Sequence, residues 1–318
     1  MSRVCLAVGL LSIWLQGCTP PPMAPNPVAS CKLTRLTEVP LALHGNLLFV
    51  QASVGDAPVT LLIDTGAERT LLTDAAVTRL GLPRDLQHAT QTFGIGNPST
   101  TWDATLPNGI TLGGRDFPLP SVTVGEFEIN RPANQTVDGL LGADLLLAFD
   151  ADIDLLHGQL ALYLPRPGCP QAAPPWQQPF IRLAGITTQG DRIMLPFELD
   201  GVTGTGVLDT GAQLSSISQQ MAERVGLGDD ALSADRTVMA HGAAREQVAV
   251  HFHRFSEFRV GPASMHEPLL PVVPMTEGMG DALIGADFLQ GRRAWLSYST
   301  QQVLVTPLEQ GAAVAAAR

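Results

Sequence analysis

Tyrosine is nearly missing from this chain of 318 residues: there are two, and all aromatics together make up 5%. A core with so few rings must be filled by Leu, Val and Ile, which suits a β-rich interior. Basic residues are also scarce. Lys and Arg number 19 against 30 Asp and Glu, giving a formal charge of −11. That balance excludes a nucleic-acid partner, which requires a basic surface. No G-x-S-x-G turn is present to present a serine nucleophile. The stretch GIGNPS at 94–99 lacks the following helix and lysine of a phosphate loop. His251 and His253 stand two apart on one strand face, but no nearby Cys or carboxylate completes a metal set. They read as a solvated face, and neither metal nor cofactor is expected. At 45% hydrophobic and 15% charged, the chain has the composition of a folded protein.

What is present begins with a targeting segment. Arg3 precedes an apolar run, VCLAVGLLSIWL, of signal-peptide length and too short to span a bilayer. It closes on LQGC at 15–18, which resembles the lipobox of bacterial lipoproteins. That resemblance implies removal of residues 1–17 and a lipid on Cys18, through which the chain would reach the membrane. The alternative is an ordinary signal peptide followed by an unrelated Cys. Thr19, where an acidic residue would signal inner-membrane retention, favours the outer membrane, with the fold facing the periplasm. Four cysteines occur in all. In an exported chain disulfides persist, so parity and compartment favour a bridge between Cys31 and Cys169 over two free thiols.

Two proline-rich stretches divide the remainder. TPPPMAPNPVAS at 19–30 marks a tether assigned to 18–39, and LPRPGCPQAAPPWQQP at 164–179 marks a linker assigned to 166–179. The tail 309–318 reads as flexible. The segments between, 40–165 and 180–308, repeat each other. LLIDTGAERTLL at 61–72 returns as VLDTGAQLSSIS at 207–218, with Asp64 and Asp209 at an offset of 145. DGLLGADLL at 138–146 returns as DALIGADFL at 281–289 at an offset of 143. Two copies of one domain follow. Each copy reads as short strands, beginning with NLLFVQASV and PVTLLID as a hairpin. A helix capped by Thr73 or Asp74 runs to Gly81, and its counterpart covers Gln219 to Gly226. Brief helices start at Ala143 and Ala286, and each copy ends in a hairpin.

Two D-T-G-A motifs, Asp64-Thr65-Gly66-Ala67 and Asp209-Thr210-Gly211-Ala212, are each followed some 75 residues later by an apolar pair and a glycine. The latter marks are Leu140-Leu141-Gly142 and Leu283-Ile284-Gly285. Over about 40–308 this resembles the retropepsin-like and pepsin-like aspartic proteases. The motif style is closer to the bacterial retropepsin-like group; two lobes in one chain is the pepsin-like arrangement. The fold class implied is all-β, two retropepsin-like acid-protease lobes related by pseudo-twofold symmetry, with short helices.

The chemistry requires that pattern. Two carboxyl groups about 3 Å apart cannot both ionise, so they share one proton. The ionised one takes a proton from water, and the protonated one donates to the carbonyl oxygen of a peptide. The titration belongs to the pair. Thr65 and Thr210 should hydrogen-bond across the lobe boundary, as the family's crossed threonine pair does. Gly66 and Gly211, lacking a Cβ, would let the chain turn sharply and bring N–H groups to the carboxylates. Gly142 and Gly285 would let a strand pass close behind each loop. Such enzymes cover the substrate with glycine-containing hairpins. Residues 92–102, with Gly94 and Gly96, fit in the first lobe, and 238–247, with Gly242, in the second. Two departures stand out. Neither Tyr163 nor Tyr298 lies in a flap, and the residue after D-T-G-A, usually Asp in retropepsins, is Glu68 or Gln213.

The reading is a lipid-anchored aspartic endopeptidase, acting as a monomer on an extended peptide or protein. The alternative is an inactive relative that binds peptides in the cell envelope. In a third arrangement, each lobe would pair with a lobe of another chain.

Overall fold

Leu47–Val54 and Ala57–Ile63 are apolar runs separated by Gly55 and Asp56, and they form an antiparallel hairpin from Val54↔Ala57 to Phe49↔Leu62. Gly55 takes a φ of 57° at the turn, where a glycine is unstrained. Ile193–Leu199 and Val202–Leu208 repeat the hairpin, with Met194 opposite Val207. The offset of 145 thus carries the pair Phe49↔Leu62 onto Met194↔Val207. In this computed structural model the residues described are 33–127, 136–165, 174–184, 186–187, 191–241, 246–276 and 278–308. Cys18, Cys31, Cys169 and Gly242 lie outside them, as do the signal segment and the tail.

A short parallel strand completes each lobe's centre. Gly139–Leu141 lies beside Ala57–Ile63, with Leu141 opposite Ile63, and Ala282–Ile284 lies beside Val202–Leu208, with Ile284 opposite Leu208. The apolar marks are thereby set against the strands that end in Asp64 and Asp209. These strands are buried on both faces, which is why they read as continuous apolar runs without alternation.

The helices follow their capping residues. Asp74–Leu80 starts at Thr73, whose side chain accepts from the Ala76 N–H, and stops at Gly81 with φ 62°. Gln219–Arg224 starts at Ser218, whose side chain accepts from the Met221 N–H. Ala143–Leu146 and Ala286–Leu289 are single turns. Asp229–Ala234 is a further short helix that periodicity did not reveal.

The base of the molecule is an antiparallel sheet in the order Ile181–Ala184, Gln302–Val305, Arg293–Ser297, Asp150–Asp154, Gln159–Leu164, Thr34–His44. Both lobes contribute to it. Its central contact pairs Asp150–Asp154 with Arg293–Ser297, placing Asp152 opposite Trp295. The repeat offset of 143 maps 152 onto 295, so the pseudo-twofold axis crosses the sheet at this pair. Asp152 is 1% exposed and is held by Arg293, whose Nε and Nη2 donate to its two oxygens at 2.8 and 2.7 Å. Trp176 Nε1 also donates to Asp152, and the Arg293 guanidinium lies over the Trp176 ring.

Two expected boundaries therefore move. The first strand begins at Thr34, inside the stretch read as tether to residue 39. Its pairing runs from Thr34↔Leu164 to Pro40↔Gln159, and Thr37, Val39 and Leu41 alternate into the core. Trp176, read as linker, is packed on the shared sheet.

Candidate active site

Each of the two core strands ends in a carboxylate because the next residues turn its backbone donors onto it. Gly66 N and Ala67 N donate to Asp64 Oδ1 at 3.0 and 2.9 Å. Gly211 N and Ala212 N donate to Asp209 Oδ1 at 2.8 and 3.0 Å. Behind them, Asp64 N donates to Leu141 O and Asp209 N to Ile284 O. The two carboxyl groups meet across the lobe boundary, each lying against the glycine of the other's loop.

The threonines brace this meeting point. Thr65 N donates to Thr210 Oγ1 and Thr210 N to Thr65 Oγ1, both at 3.1 Å. The hydroxyls pass their own protons on, Thr65 Oγ1 to Leu208 O at 2.6 Å and Thr210 Oγ1 to Ile63 O at 2.7 Å. Both threonines are fully buried.

The chain turns at Thr65–Gly66 and Thr210–Gly211 and brings each glycine N–H to its acid, as expected, but not through a left-handed backbone. Neither Gly66 nor Gly211 has a positive φ, so the backbone conformation itself does not demand glycine. Space does. A Cβ on Gly66 would stand 2.7 Å from both Asp209 carboxylate oxygens, and one on Gly211 would crowd the Asp64 carboxylate in the same way. Each glycine makes room for the acid of the opposite lobe. Gly142 and Gly285 serve a close backbone approach: a Cβ there would meet the backbone of Arg69–Thr70 and of Leu214–Ser215.

A second pair of acids, not anticipated, holds the two loops from behind. Asp144 accepts from Thr70 N at 2.9 Å and Thr70 Oγ1 at 2.7 Å, and Thr70 Oγ1 accepts from Gly142 N. In the second lobe Asp287 accepts from Ser215 N and Ser215 Oγ, and that hydroxyl accepts from Gly285 N. The signal was available, since G-A-D occurs in both copies together with a hydroxyl residue six positions after each acid of the dyad.

Burial and charge set the protonation of these groups. Burial, then the negative charge of Asp209, pushes the Asp64 carboxyl well above the usual carboxylate range. Burial also raises Asp209, opposed by the amides of Ala212 and Gly211 and by the positive charge of Arg192. Asp144 and Asp287 are raised by burial despite their hydroxyl donors. Tyr298 is raised too, first by burial and then by the charges of Asp64 and Asp191.

Arg192 is the other residue that sequence reasoning missed. It comes from the second lobe, just before Ile193–Leu199, and its Nη2 reaches Glu68 Oε1 of the first lobe at 3.0 Å. The same nitrogen donates to Gly278 O at 3.2 Å. At the opposite end Asn46 Nδ2 donates to Gln213 O at 3.1 Å, so that end of the site is joined without charge.

The first flap is the hairpin of Arg84–Thr92 and Ser99–Thr105. Its tip is not free. Gly96 N donates to Pro274 O at 2.9 Å, Thr276 N and Oγ1 donate to Gly94 O, and Ile95 bridges Met275. Asn97 N also donates to the Glu246 carboxylate. Gly94 and Gly96 thus sit in a tip bound to the second lobe. Arg236–His241 and Gln247–Arg254 form the second hairpin. In the latter strand, His253 pairs with Asp235 at 2.7 Å and His251 with Thr237 at 3.0 Å.

Two all-β lobes with one D-T-G loop each, crossed threonines and facing carboxyl groups define an acid-protease fold. The aspartyl protease family profile matches residues 50–145 and again 195–288, once per lobe and more than half of the chain. The chain belongs to that family. No curated protein matches it.

Proposed function

We propose that the chain is an aspartic endopeptidase of the bacterial cell envelope, anchored through a lipid on Cys18. The observation that carries the reading is the pair of acids, Asp64 and Asp209, held face to face by backbone donors of their own loops. A water between them would lose a proton to the ionised carboxylate as its oxygen attacks the peptide carbonyl carbon. The protonated carboxyl would donate to the carbonyl oxygen. The proton taken from water would then pass to the amide nitrogen as the C–N bond breaks. The flap hairpin would lie over an extended peptide and exclude solvent.

Peptide-library cleavage by the soluble domain across pH tests the chemistry. Asp64→Asn and Asp209→Asn should each abolish cleavage, because one carboxyl group cannot act as both acid and base. Activity surviving in either variant rejects the shared dyad. A second reading, peptide binding without turnover, draws on the flap tip already bonded to Pro274 and Thr276. Binding of a statine-type inhibitor with no peptide cleaved by the wild type would favour it. For the anchor, Cys18→Ser should move the chain from the membrane to the soluble fraction.

A further inference from the structure

The offset of 145 pairs Glu68 with Gln213, Arg69 with Leu214, Asp191 with Asn46 and Arg192 with Leu47. Contacts sort these residues by end of the site, since Arg192 reaches Glu68 and Asn46 reaches Gln213. One end therefore gathers Glu68, Arg69, Asp191 and Arg192, all charged. The other gathers their four counterparts, none charged. The hairpins continue the division. Leu72↔Val124 and Ile217↔Val272 are equivalent pairs under the offset, and Trp102↔Val124 and His251↔Val272 extend the match outward. Thr90↔Thr101 then corresponds to Val238↔Val250, and Thr92↔Ser99 to Ala240↔Val248. Directly opposed residues share a sheet face. One face of the first hairpin thus carries four hydroxyls, and the same face of the second carries four apolar side chains.

Both faces are tied to the acids. Arg69, five residues beyond Asp64, pairs with Asp103 at 2.8 Å, and Thr90 Oγ1 donates to the same carboxylate at 2.9 Å. Position 103 corresponds to Phe252 in the second lobe, as 69 does to the exposed Leu214. The apolar face packs with Ile95 and Met275, and Met275 shares the next apolar cluster with Ala212 of the Asp209 loop. Arg236, exposed at the root of the second hairpin, stacks on Phe252. We infer that the site takes a peptide whose polarity changes at the cut, with a polar flank beneath the first hairpin and an apolar flank beneath the second. The cut itself rests on the endopeptidase reading; the two flanks do not. An apolar side chain laid against Thr90, Thr101 and the Arg69–Asp103 pair would strip their water and return no hydrogen bond. A polar side chain against Val238 and Val250 would lose its own water in the same way. The hairpins therefore select in opposite senses.

Four peptides of equal length, with identical solubilising ends, test this on the purified full-length chain in detergent. One runs from a Ser/Thr half to a Val/Leu half, one has the halves reversed, and two are uniform. The better block order should exceed both uniform peptides about tenfold in kcat/KM. Thr90→Val with Thr101→Val should bring the uniform apolar peptide up toward the block peptide. Val238→Thr with Val250→Thr should do the same for the uniform polar one. Loosened packing alone would slow all four peptides together and keep their ranking. A uniform peptide cut as well as the blocks, variants that relax the same flank, or rankings that neither variant changes overturn the inference; should a variant fail to fold, the wild-type ranking decides. Binding of the four peptides to Asp64→Asn, read by fluorescence anisotropy, needs no turnover. The same ranking in binding, with nothing cleaved by the wild type, would sink the endopeptidase reading and leave the flanks standing. Equal binding of all four, or binding of none, would sink the flanks.

Discussion

Replacing Thr65 by Val swaps a hydroxyl for a methyl of nearly equal volume at a site with no exposed surface. The substitution removes two hydrogen bonds at once, the donation to Leu208 O and the acceptance from Thr210 N. Both partners stay buried. Each unsatisfied polar group costs about 1–3 kcal/mol, so Thr65→Val should destabilise the fold by about 3 kcal/mol. Thr210→Val should cost a similar amount through Ile63 O and Thr65 N. The loops clamp each other, so the second loss falls on a site already loosened. The double variant should fall short of the sum by about 1 kcal/mol. Urea unfolding followed by tryptophan fluorescence measures all three, with Thr65→Ser, which keeps the hydroxyl, as a control. Cleavage should weaken in step, because carboxyl groups displaced by about 1 Å lose on the order of a hundredfold in rate. A Thr65→Val variant with an unchanged urea midpoint, or strict additivity in the double variant, would refute the clamp.

Other outcomes follow from the same geometry. Gly66→Ala places a methyl against the Asp209 carboxylate; stability should drop by about 1–3 kcal/mol, and peptide cleavage should be lost even where the variant folds. Asp64→Asn should raise the urea midpoint at neutral pH. The raised Asp64 pKa means its stabilising contribution is complete below the unfolded value and lost as pH rises through the folded one, so the gain should shrink on acidification; a variant no more stable than wild type at pH 7 would contradict this. Arg293→Met strands the buried Asp152 carboxylate and should cost about 3–5 kcal/mol, much of it recovered by adding Asp152→Asn. Gly96→Val cannot hold the φ of 81° beside Glu246, so hydrogen exchange at the Thr276 amide should accelerate.

The parts of this molecule legible in sequence are those written locally and written twice. Asp64 and Asp209 stand at the ends of apolar runs, next to their own donors, and the repeat distinguishes them from ordinary turns. Thr73 and Ser218 mark helix starts through their own side chains. Arg192 carried no such mark. It crosses to Glu68 from the position that the first lobe fills with the buried Leu47, and a repeat search weights agreement instead. Asp144 and Asp287 were visible in G-A-D, yet their partners Thr70 and Ser215 lie more than seventy residues upstream. The shared base sheet was hidden for a similar reason: a strand edge does not name its neighbour, so the chain from Thr34 and the segment around Trp176 looked like spacer.

The pairing of Asp152 with Trp295 reaches beyond the base sheet into the origin of the chain. A freed first lobe meeting its own copy through this edge would set acid against acid, with no guanidinium to neutralise either. Two second lobes would meet indole to indole and leave Arg293 without an anion. Duplication made the halves, but divergence at 152, 293 and 295 has made them complementary, each now suited to its sibling and ill suited to itself.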